Sequence, residues 1–255
     1  MTDIKELFST AEEIADEVSM FLQDNFGSKK EMTHKTDSHY GIDDDIKCNE
    51  MYESYLKINT PQIALFTEEG EQNLNSEYVW VVDPIEGTSN YRAGNPFFAT
   101  VIALLHNNEP VLSIVNAPIL KQKFYAIQNK GAYLNGNKIS PTKLDELDKA
   151  LVDFGRGMKK IDKEWYVRTI SKLNNHIRTN RTFGACGLDI CYCAAGITDV
   201  YINSGSQIYD YLAGAFISKE AGAEVLNFMG NNWTISDKDF LVSNKTLSNA
   251  IIKLL

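Results

Sequence analysis

The chain is poor in the residues that build disulfide scaffolds and transition-metal sites. Its 255 residues include four cysteines, four histidines, six prolines and three tryptophans. Cys48 stands alone, whereas Cys186, Cys191 and Cys193 crowd into a small-residue stretch without a CxxC pair. Two residues apart on a helix, Cys191 and Cys193 point to different faces. Buried thiols are the better reading than disulfides or zinc ligands. His34, His39, His106 and His176 form no metal-ligand spacing either. No apolar run approaches the roughly 20 residues needed to span a bilayer. The first residues carry Asp3, Glu6, Glu12 and Glu13 where a signal peptide has a basic start and an apolar core, so a cytoplasmic protein is expected. Basic charge is also scarce: 25 Lys and Arg against 34 Asp and Glu leave a net charge of -9. That argues against a nucleic-acid groove, which needs clustered cations. It leaves open a small anionic ester held to the protein through divalent cations.

What remains is the composition of an ordinary globular protein, 44% hydrophobic and 23% charged. The length suits one large domain or two closely joined lobes with a core of their own. Ile4, Leu7, Phe8, Ala11, Ile14, Ala15, Val18, Phe21 and Leu22 recur at helical spacing, predicting a core-packing helix that ends near Asn25 and Gly27. A polar stretch with Lys35 and the acidic triplet 43–45 precedes a second helical pattern over 46–58. Short apolar strands follow at 63–66 and 78–82, each ending abruptly in carboxylates: Glu68 and Glu69 after the first, Asp83 after the second. Strand patterns continue at 100–105, 111–115, 123–127 and 132–134. Asn135-Gly136 then marks a tight hairpin, because both residues tolerate positive φ. This sheet is expected to be antiparallel.

Charged, loop-like or helical composition over 141–149 suggests a boundary between an N-terminal lobe, about 1–145, and a C-terminal lobe, about 146–255. Beyond it, strands at 151–154, 177–181, 199–203 and 223–226 alternate with helices at 163–174, 188–195 and 210–221, the pattern of a layered α/β unit.

Mg²⁺ prefers oxygen ligands in near-octahedral arrangement and commonly takes a few carboxylates together with substrate phosphate. Three places offer them: Glu68 with Glu69, Asp83 with Glu86 around Pro84, and Asp210 at the start of a helix. Taken singly, each has a plain alternative. The glutamates suit a solvated turn, Asp83-Pro84 suits local turn chemistry, and Asp210 suits a helix cap or first turn. The run Gly87-Thr88-Ser89-Asn90 changes the balance. It can turn successive amides toward one point ahead of a short helix and so seat an anion.

In these places the sequence resembles the inositol monophosphatase family. Val81-Val82-Asp83-Pro84-Ile85-Glu86-Gly87-Thr88-Ser89-Asn90-Tyr91 resembles its first signature, and Tyr209-Asp210-Tyr211-Leu212-Ala213-Gly214 its second. Phe66-Thr67-Glu68-Glu69 looks like its Gly-Glu-Glu element and Lys35-Thr36-Asp37 like its upstream lysine element, all in the right order. The resemblance implies an α+β fold, a layered αβαβα sandwich of one inositol monophosphatase-like domain over 1–255, with a mostly antiparallel N-terminal sheet. It implies a phosphoric monoester hydrolase acting on a small-molecule phosphate ester, inhibited by lithium, and a homodimer; charge and the lack of a long apolar run argue for neither nucleic acid nor membrane as partner.

Carried over residue by residue, it implies that Glu68, Asp83 and the Ile85 carbonyl hold one Mg²⁺ and that Asp83, Glu86 and Asp210 hold a second. Glu68 would help place a third, weaker ion. Gly87 and Thr88 would give amides to the phosphate, with Ser89, Asn203 and Asp210 also lining the substrate. Asp45 would pair with Thr88 to orient and deprotonate the attacking water, with Asp43 and Asp44 as alternatives in register. In a two-metal site one ion acidifies the water and the other stabilises the leaving oxygen. A serine-hydrolase reading fares poorly, because Ser204-Gly205-Ser206 lacks a nucleophile elbow.

Three residues depart from the family pattern. Glu86 stands where Asp is usual, carrying its carboxylate about 1.5 Å farther from the backbone. Tyr209 replaces a Trp, a change expected to affect packing. Asn203 stands where inositol-specific members have a ring-contacting Glu. Substrates handled by relatives include inositol monophosphate, histidinol phosphate, fructose 1,6-bisphosphate and nucleotide 3'-phosphates. Ser89, where the nucleotide branch carries Lys, points away from the last. Arg92 and Arg181 suit exposed or structurally paired roles better than substrate contacts. A competing expectation is a catalytically impaired relative that binds or regulates, with Glu86 as its mark.

Overall fold

Helix α1 (Ile4–Asn25) takes shape where the apolar spacing predicts it, burying Leu7, Ala11, Ile14, Ala15, Val18 and Leu22 along one stripe. Asp3 caps it, accepting from the Lys5 amide at 3.0 Å. The computed structural model describes residues 3–28, 33–36, 39–70 and 73–255, with the backbone alone for 33–36 and 39–41. The Lys35-Thr36-Asp37 element therefore falls, for its side chains, outside the described residues. Strands β1 (Thr33–Thr36) and β2 (His39–Gly41) pair antiparallel.

Helix α2 (Asp43–Asn59) starts three residues before the apolar pattern does. The acidic triplet forms its first turn, where carboxylates face the positive end of the helix dipole. Asp45 Oδ2 accepts the Ile42 amide at 2.8 Å, so polar capping rather than apolar periodicity sets this boundary.

Seven strands make the first sheet, in the order β3 (Ala64–Thr67), β4 (Tyr78–Glu86), β5 (Ala99–His106), β6 (Glu109–Ala117), β7 (Gln122–Ile127), β8 (Gly131–Leu134) and β9 (Asn137–Lys138). Every pairing is antiparallel except β3 with β4, which run parallel. The β8–β9 hairpin turns on Asn135 and Gly136 at φ 49° and 81°, the left-handed pair that a primed turn needs. Between β4 and β5 lies the short helix α3 (Thr88–Arg92).

After a connection with one 3-10 turn at Leu147–Lys149, the chain forms β10 (Leu151–Phe154), α4 (Lys160–Leu173), β11 (Thr179–Arg181), α5 (Cys186–Ala194), β12 (Val200–Ser204), α6 (Ile208–Ala221), β13 (Glu224–Leu226), β14 (Asp239–Ser243) and α7 (Lys245–Ile252). The second sheet has the order β11-β10-β12-β14-β13. Its first three strands are parallel, and β14 runs antiparallel to both neighbours. Sequence periodicity does not anticipate β14 or α7. Phe240-Leu241-Val242 is a short apolar run flanked by polar residues, and its strand state comes from pairing on both edges.

The layers are αβαβα. Helices α1 and α2 cover the outer face of the first sheet, sharing a core with Trp80, Val82, Ile102, Leu104 and Leu112. Helices α5 and α6 lie between the sheets, α6 against β4 to β8 and α5 against β12 and β14, while α4 and α7 close the far side. The two central helices cross backbone to backbone. A Cβ on Gly214 would stand 2.8 Å from the Gly187 carbonyl oxygen and 2.8 Å from the Ile190 Cβ.

Candidate active site

The first signature is built on an irregularity in β4. Along this strand Val79 and Val81 face the inter-sheet core, whereas Trp80 and Val82 face α1 and α2. Strict alternation would send Ile85 inward and Glu86 outward. The register slips instead: Asp83 opposes Val101 and Glu86 opposes Ala99, three residues against two. The extra residue is a β-bulge, and Pro84 sits within it, where no ladder amide is required. Ile85 consequently joins the outer core, and Asp83 and Glu86 turn to the same inner side. The strand was expected to stop at Asp83; the bulge lets it run on to Glu86 without losing the carboxylate pair.

Beyond the bulge, Gly87 caps α3 at φ 88°, a left-handed conformation that glycine takes at little cost. A Cβ there would also come within 3.1 Å of the Ala185 Cβ. The first-turn amides of α3, among them Thr88 and Ser89, cannot be satisfied inside the helix. Thr88 Oγ1 donates to the Ile85 carbonyl at 2.9 Å and lies 3.4 Å from Asp45 Oδ1. A carbonyl oxygen has two lone pairs, so the Thr88 contact leaves Ile85 one further acceptor position. Ser89 is exposed.

Other elements bring the remaining carboxylates by their ends. Glu68 follows β3 with the parity of inward-facing Phe66, its amide bonded to the Val82 carbonyl at 3.3 Å. Asp210 lies in the first turn of α6, accepting the Gln207 amide at 2.7 Å, so it does cap the helix. Tyr209 packs its ring 6.4 Å from that of Phe66, which sets the start of α6 beside the end of β3. Asn90 ties the α3 loop to the segment before α5, giving its amide to the Phe97 and Phe183 carbonyls at 2.7 and 2.8 Å.

Four helices thus begin at one place: α2 with Asp45, α3 with Thr88, α5 with Cys186 and α6 with Asp210. Their positive ends temper a concentration of acid that would otherwise be prohibitive. Asp45, Asp83 and Glu86 are all at most 4% exposed. Burial, and then the charges of Glu68, Asp210, Glu86 and Asp45, push the Asp83 carboxyl well above its usual range. Burial and then Asp210 raise Glu86 likewise, against the amides of Leu188, Cys186 and Gly187 at the start of α5. Burial lifts Asp210 to about 7.

Asp83 Oδ1 and Glu86 Oε2 are buried and have no donor among the described residues. Buried acceptors in a field of like charge are chemically suited to a hard divalent cation, and the donors are all oxygen. Among the described residues no three His, Cys, Asp or Glu side chains stand close enough to ligate one ion as placed.

Three further sequence candidates differ in exposure and partners. Asn203 is 1% exposed, with its Nδ2 directed to the Tyr201 hydroxyl at 2.8 Å and to Cys186 Sγ at 3.6 Å. Arg181 is exposed and bonds to Thr179 and the Asn180 carbonyl, and Arg92 is also exposed.

The inositol monophosphatase family model matches residues 3–255. The chain belongs to the inositol monophosphatase family. It is 31% identical to inositol monophosphatase 2 of Solanum lycopersicum over 99% of this chain and 98% of that one. It is 28% identical to a fructose-1,6-bisphosphatase/inositol-1-monophosphatase of Aquifex aeolicus over 100% of this chain and 97% of that one. A Thermotoga maritima IMPase structure superposes with a TM-score of 0.89 at 26% identity, covering 97% of this chain and 94% of that one. Inositol monophosphatases are phosphoric monoester hydrolases, and this member is a phosphatase of that superfamily with the αβαβα fold that the resemblance implies.

Sequence reading of this family member missed the first turn of α5. Cys186 reads as one more buried thiol, yet its amide and those of Gly187 and Leu188 face Glu86. The available signal was Gly184-Ala185-Cys186-Gly187, a run with no side chain able to cap a helix. Asp153 and Asp189, acids set in the apolar strings Leu151–Phe154 and Leu188–Cys191, were also passed over.

Proposed function

We propose that the chain hydrolyses a phosphomonoester of a small polyol, sugar or amino alcohol in a Mg²⁺-dependent reaction. The observation that carries this reading is the convergence of Asp45, Glu68, Asp83, Glu86 and Asp210, with one buried oxygen of Asp83 and one of Glu86 lacking a donor. Glu68, Asp83, the Ile85 carbonyl, Glu86 and Asp210 are the groups that would hold the divalent cations. Bound there, the cations would supply Lewis acidity toward the phosphoryl oxygens and balance the charge of a dianionic ester.

The chain's own residues do the rest. Gly87 and Thr88 give first-turn amides to the phosphate, with Ser89 at the exposed rim. Thr88 accepts a proton from the attacking water while passing its own toward Asp45 Oδ1, 3.4 Å away. The new P–O bond forms as the ester P–O bond breaks, and the leaving alkoxide takes a proton from solvent. Asn203, buried with its Nδ2 directed to Tyr201 and Cys186, supports Cys186 at the start of α5.

Purified protein tested on inositol monophosphate, fructose 1,6-bisphosphate and other phosphomonoesters, with and without Mg²⁺, decides the reading. Release of phosphate only with Mg²⁺ supports it, and none from any ester sinks it. Thr88→Ala and Asp45→Asn should each lower kcat about 10²-fold, the low end for a proton-transfer group. Melting temperature should change little, since the asparagine side chain keeps a carbonyl oxygen that can accept the Ile42 amide.

The carboxylates also fix the sign of a pH effect. Asp210 has a folded pKa of about 7 against an ordinary 3.8, so the metal-free fold binds protons more tightly than the unfolded chain. The contribution of Asp210 to stability is fully present below about 4 and is lost as pH rises from there through about 7. Mg²⁺ competes with those protons. Calorimetric melting should therefore show Mg²⁺ raising the melting temperature more at pH 8 than at pH 5.5. An equal rise at both would place the cation elsewhere.

A further inference from the structure

Behind Glu86, between α5 and the second sheet, lies an acid pair that the hydrolytic reading does not use. Asp153 on β10 is 0% exposed and Asp189 on α5 is 1% exposed. The two carboxyls face each other closely enough to act as a hydrogen-bonded pair. Among the described residues neither Asp153 oxygen nor Asp189 Oδ1 has a donor. The other Asp189 oxygen, Oδ2, accepts the Ala185 amide at 3.3 Å.

No cation compensates them among the described residues. Arg181 is level with Asp153 across the β10–β11 ladder, but its guanidinium is exposed and bonds to Thr179 and Asn180. The groups around the pair are neutral or acidic. They are Tyr201 from β12, the thiols Cys186, Cys191 and Cys193 and the phenol Tyr192 from α5 itself, and Glu86 from β4. Burial raises Asp153, and burial with the charges of Asp153 and Glu86 raises Asp189. The Phe154 and Phe183 amides bias Asp153 the other way without closing a hydrogen bond. Two buried carboxylates side by side cannot both stay ionised, and one proton between them turns repulsion into a hydrogen bond.

The pair sits where it can set the geometry of the site. Ala185, the cap residue of α5, has no side-chain oxygen. Asp189 takes its amide from the next turn, and the amides of Cys186, Gly187 and Leu188 are left facing Glu86.

We propose that Asp153 and Asp189 share a single proton across the seam between β10 and α5, and that this pair positions the first turn of α5 against Glu86. Asp153 and Asp189 are positioning residues, acting through the Ala185 amide. The shared proton stands whatever the site hydrolyses; the positioning role rests on Glu86 belonging to that site.

Carbon-13 NMR of aspartate carboxyls in the wild-type chain reads the proton directly. One of the pair should remain protonated near pH 7; both ionised above pH about 5, past the ordinary carboxylate range, would overturn the proposal. Stability gives a second readout. Asp153 is raised to about 7, so its contribution is present at low pH and lost as pH climbs from about 4 through 7. Asp153→Asn has no proton to lose. Its melting temperature minus that of wild type should therefore grow between pH 5 and pH 8, whereas a pH-independent difference counts against the shared proton.

For the positioning role, Mg²⁺ titration calorimetry compares Asp189→Ala with Asp189→Asn. Loss of a supporting group typically costs about 10–100-fold in metal affinity. The Ala variant should weaken by at least about tenfold, with Asn restoring most of it because its carbonyl oxygen can still accept the Ala185 amide. Wild-type affinity in Asp189→Ala overturns the positioning role. If wild type itself hydrolyses no ester, the active-site reading has failed, while the NMR and melting results still judge the pair.

Discussion

Asp83→Asn is expected to lower kcat/KM for phosphomonoesters by about 10³-fold, the upper range for loss of one preorganised electrostatic group, while raising the melting temperature of the metal-free protein. The two effects share one cause. Asp83 is 2% exposed and is surrounded by Glu68, Asp210, Glu86 and Asp45, so burial and four like charges all disfavour its ionised form. A neutral amide of the same shape removes that repulsion and keeps the bulge intact. The gain should appear as about 2–4 °C for each kcal/mol in a domain of this size. The same substitution removes the carboxylate common to both implied cation positions. Steady-state kinetics and scanning calorimetry in a chelator test the pair of effects. Full activity in the variant would mean that chemistry occurs elsewhere. A lower melting temperature would mean that Asp83 is compensated in the fold by something other than a bound cation. This opposition of activity and stability is expected where a site stores like charges.

How much of this was legible in the sequence depends on the range of the interactions involved. The run Asp83–Thr88 announces itself because its chemistry is local: a rigid Pro84, a glycine with positive φ and a hydroxyl two residues past a carboxylate. Asn135-Gly136 is legible for the same reason, and so is the apolar stripe of α1. The bulge was not. Only pairing with β5 shows that three residues oppose two, and without it Asp83 and Glu86 would point to opposite faces. The start of α2 was misplaced because capping by Asp45 outweighs apolar spacing. β14 is a five-residue strand between two others, with little signal of its own.

Asp153 and Asp189 lie 36 positions apart; each stands in a short apolar string, but nothing local shows that the two meet. Their significance is entirely tertiary. Asn203 shows the reverse: its place beside the second signature was readable, but not that its side chain is buried against Tyr201 and Cys186. Carboxylates at the ends of strands could be found from sequence; the layers that bring those ends together could not.

Gly187→Ala is the second large effect expected, and it tests how those layers are joined. A Cβ at this position would stand 2.9 Å from the Asp210 carbonyl oxygen, 3.4 Å from Val101 Cγ2 and 3.7 Å from Glu86 Oε2. The first contact is with backbone, so relief requires α5 and α6 to separate. Alanine is the better helix former by about 1 kcal/mol, which offsets part of the strain of overpacking, about 1–3 kcal/mol. The net change should be a loss of up to about 2 kcal/mol, or at most roughly 8 °C in melting temperature. Activity should suffer more than stability, because the movement displaces Asp210 and the amides facing Glu86 together. A misplacement near 1 Å can cost about 10²-fold. Gly214→Ala supplies the control. Its Cβ would meet the Gly187 carbonyl oxygen and Ile190 Cβ at 2.8 Å each, forcing the same helices apart without touching Asp210 or Glu86. Calorimetry should show a comparable drop in melting temperature for both variants, with the kinetic loss at least several times larger for Gly187→Ala. Equal kinetic losses would mean that helix separation alone governs activity and that contact at Asp210 has no special weight.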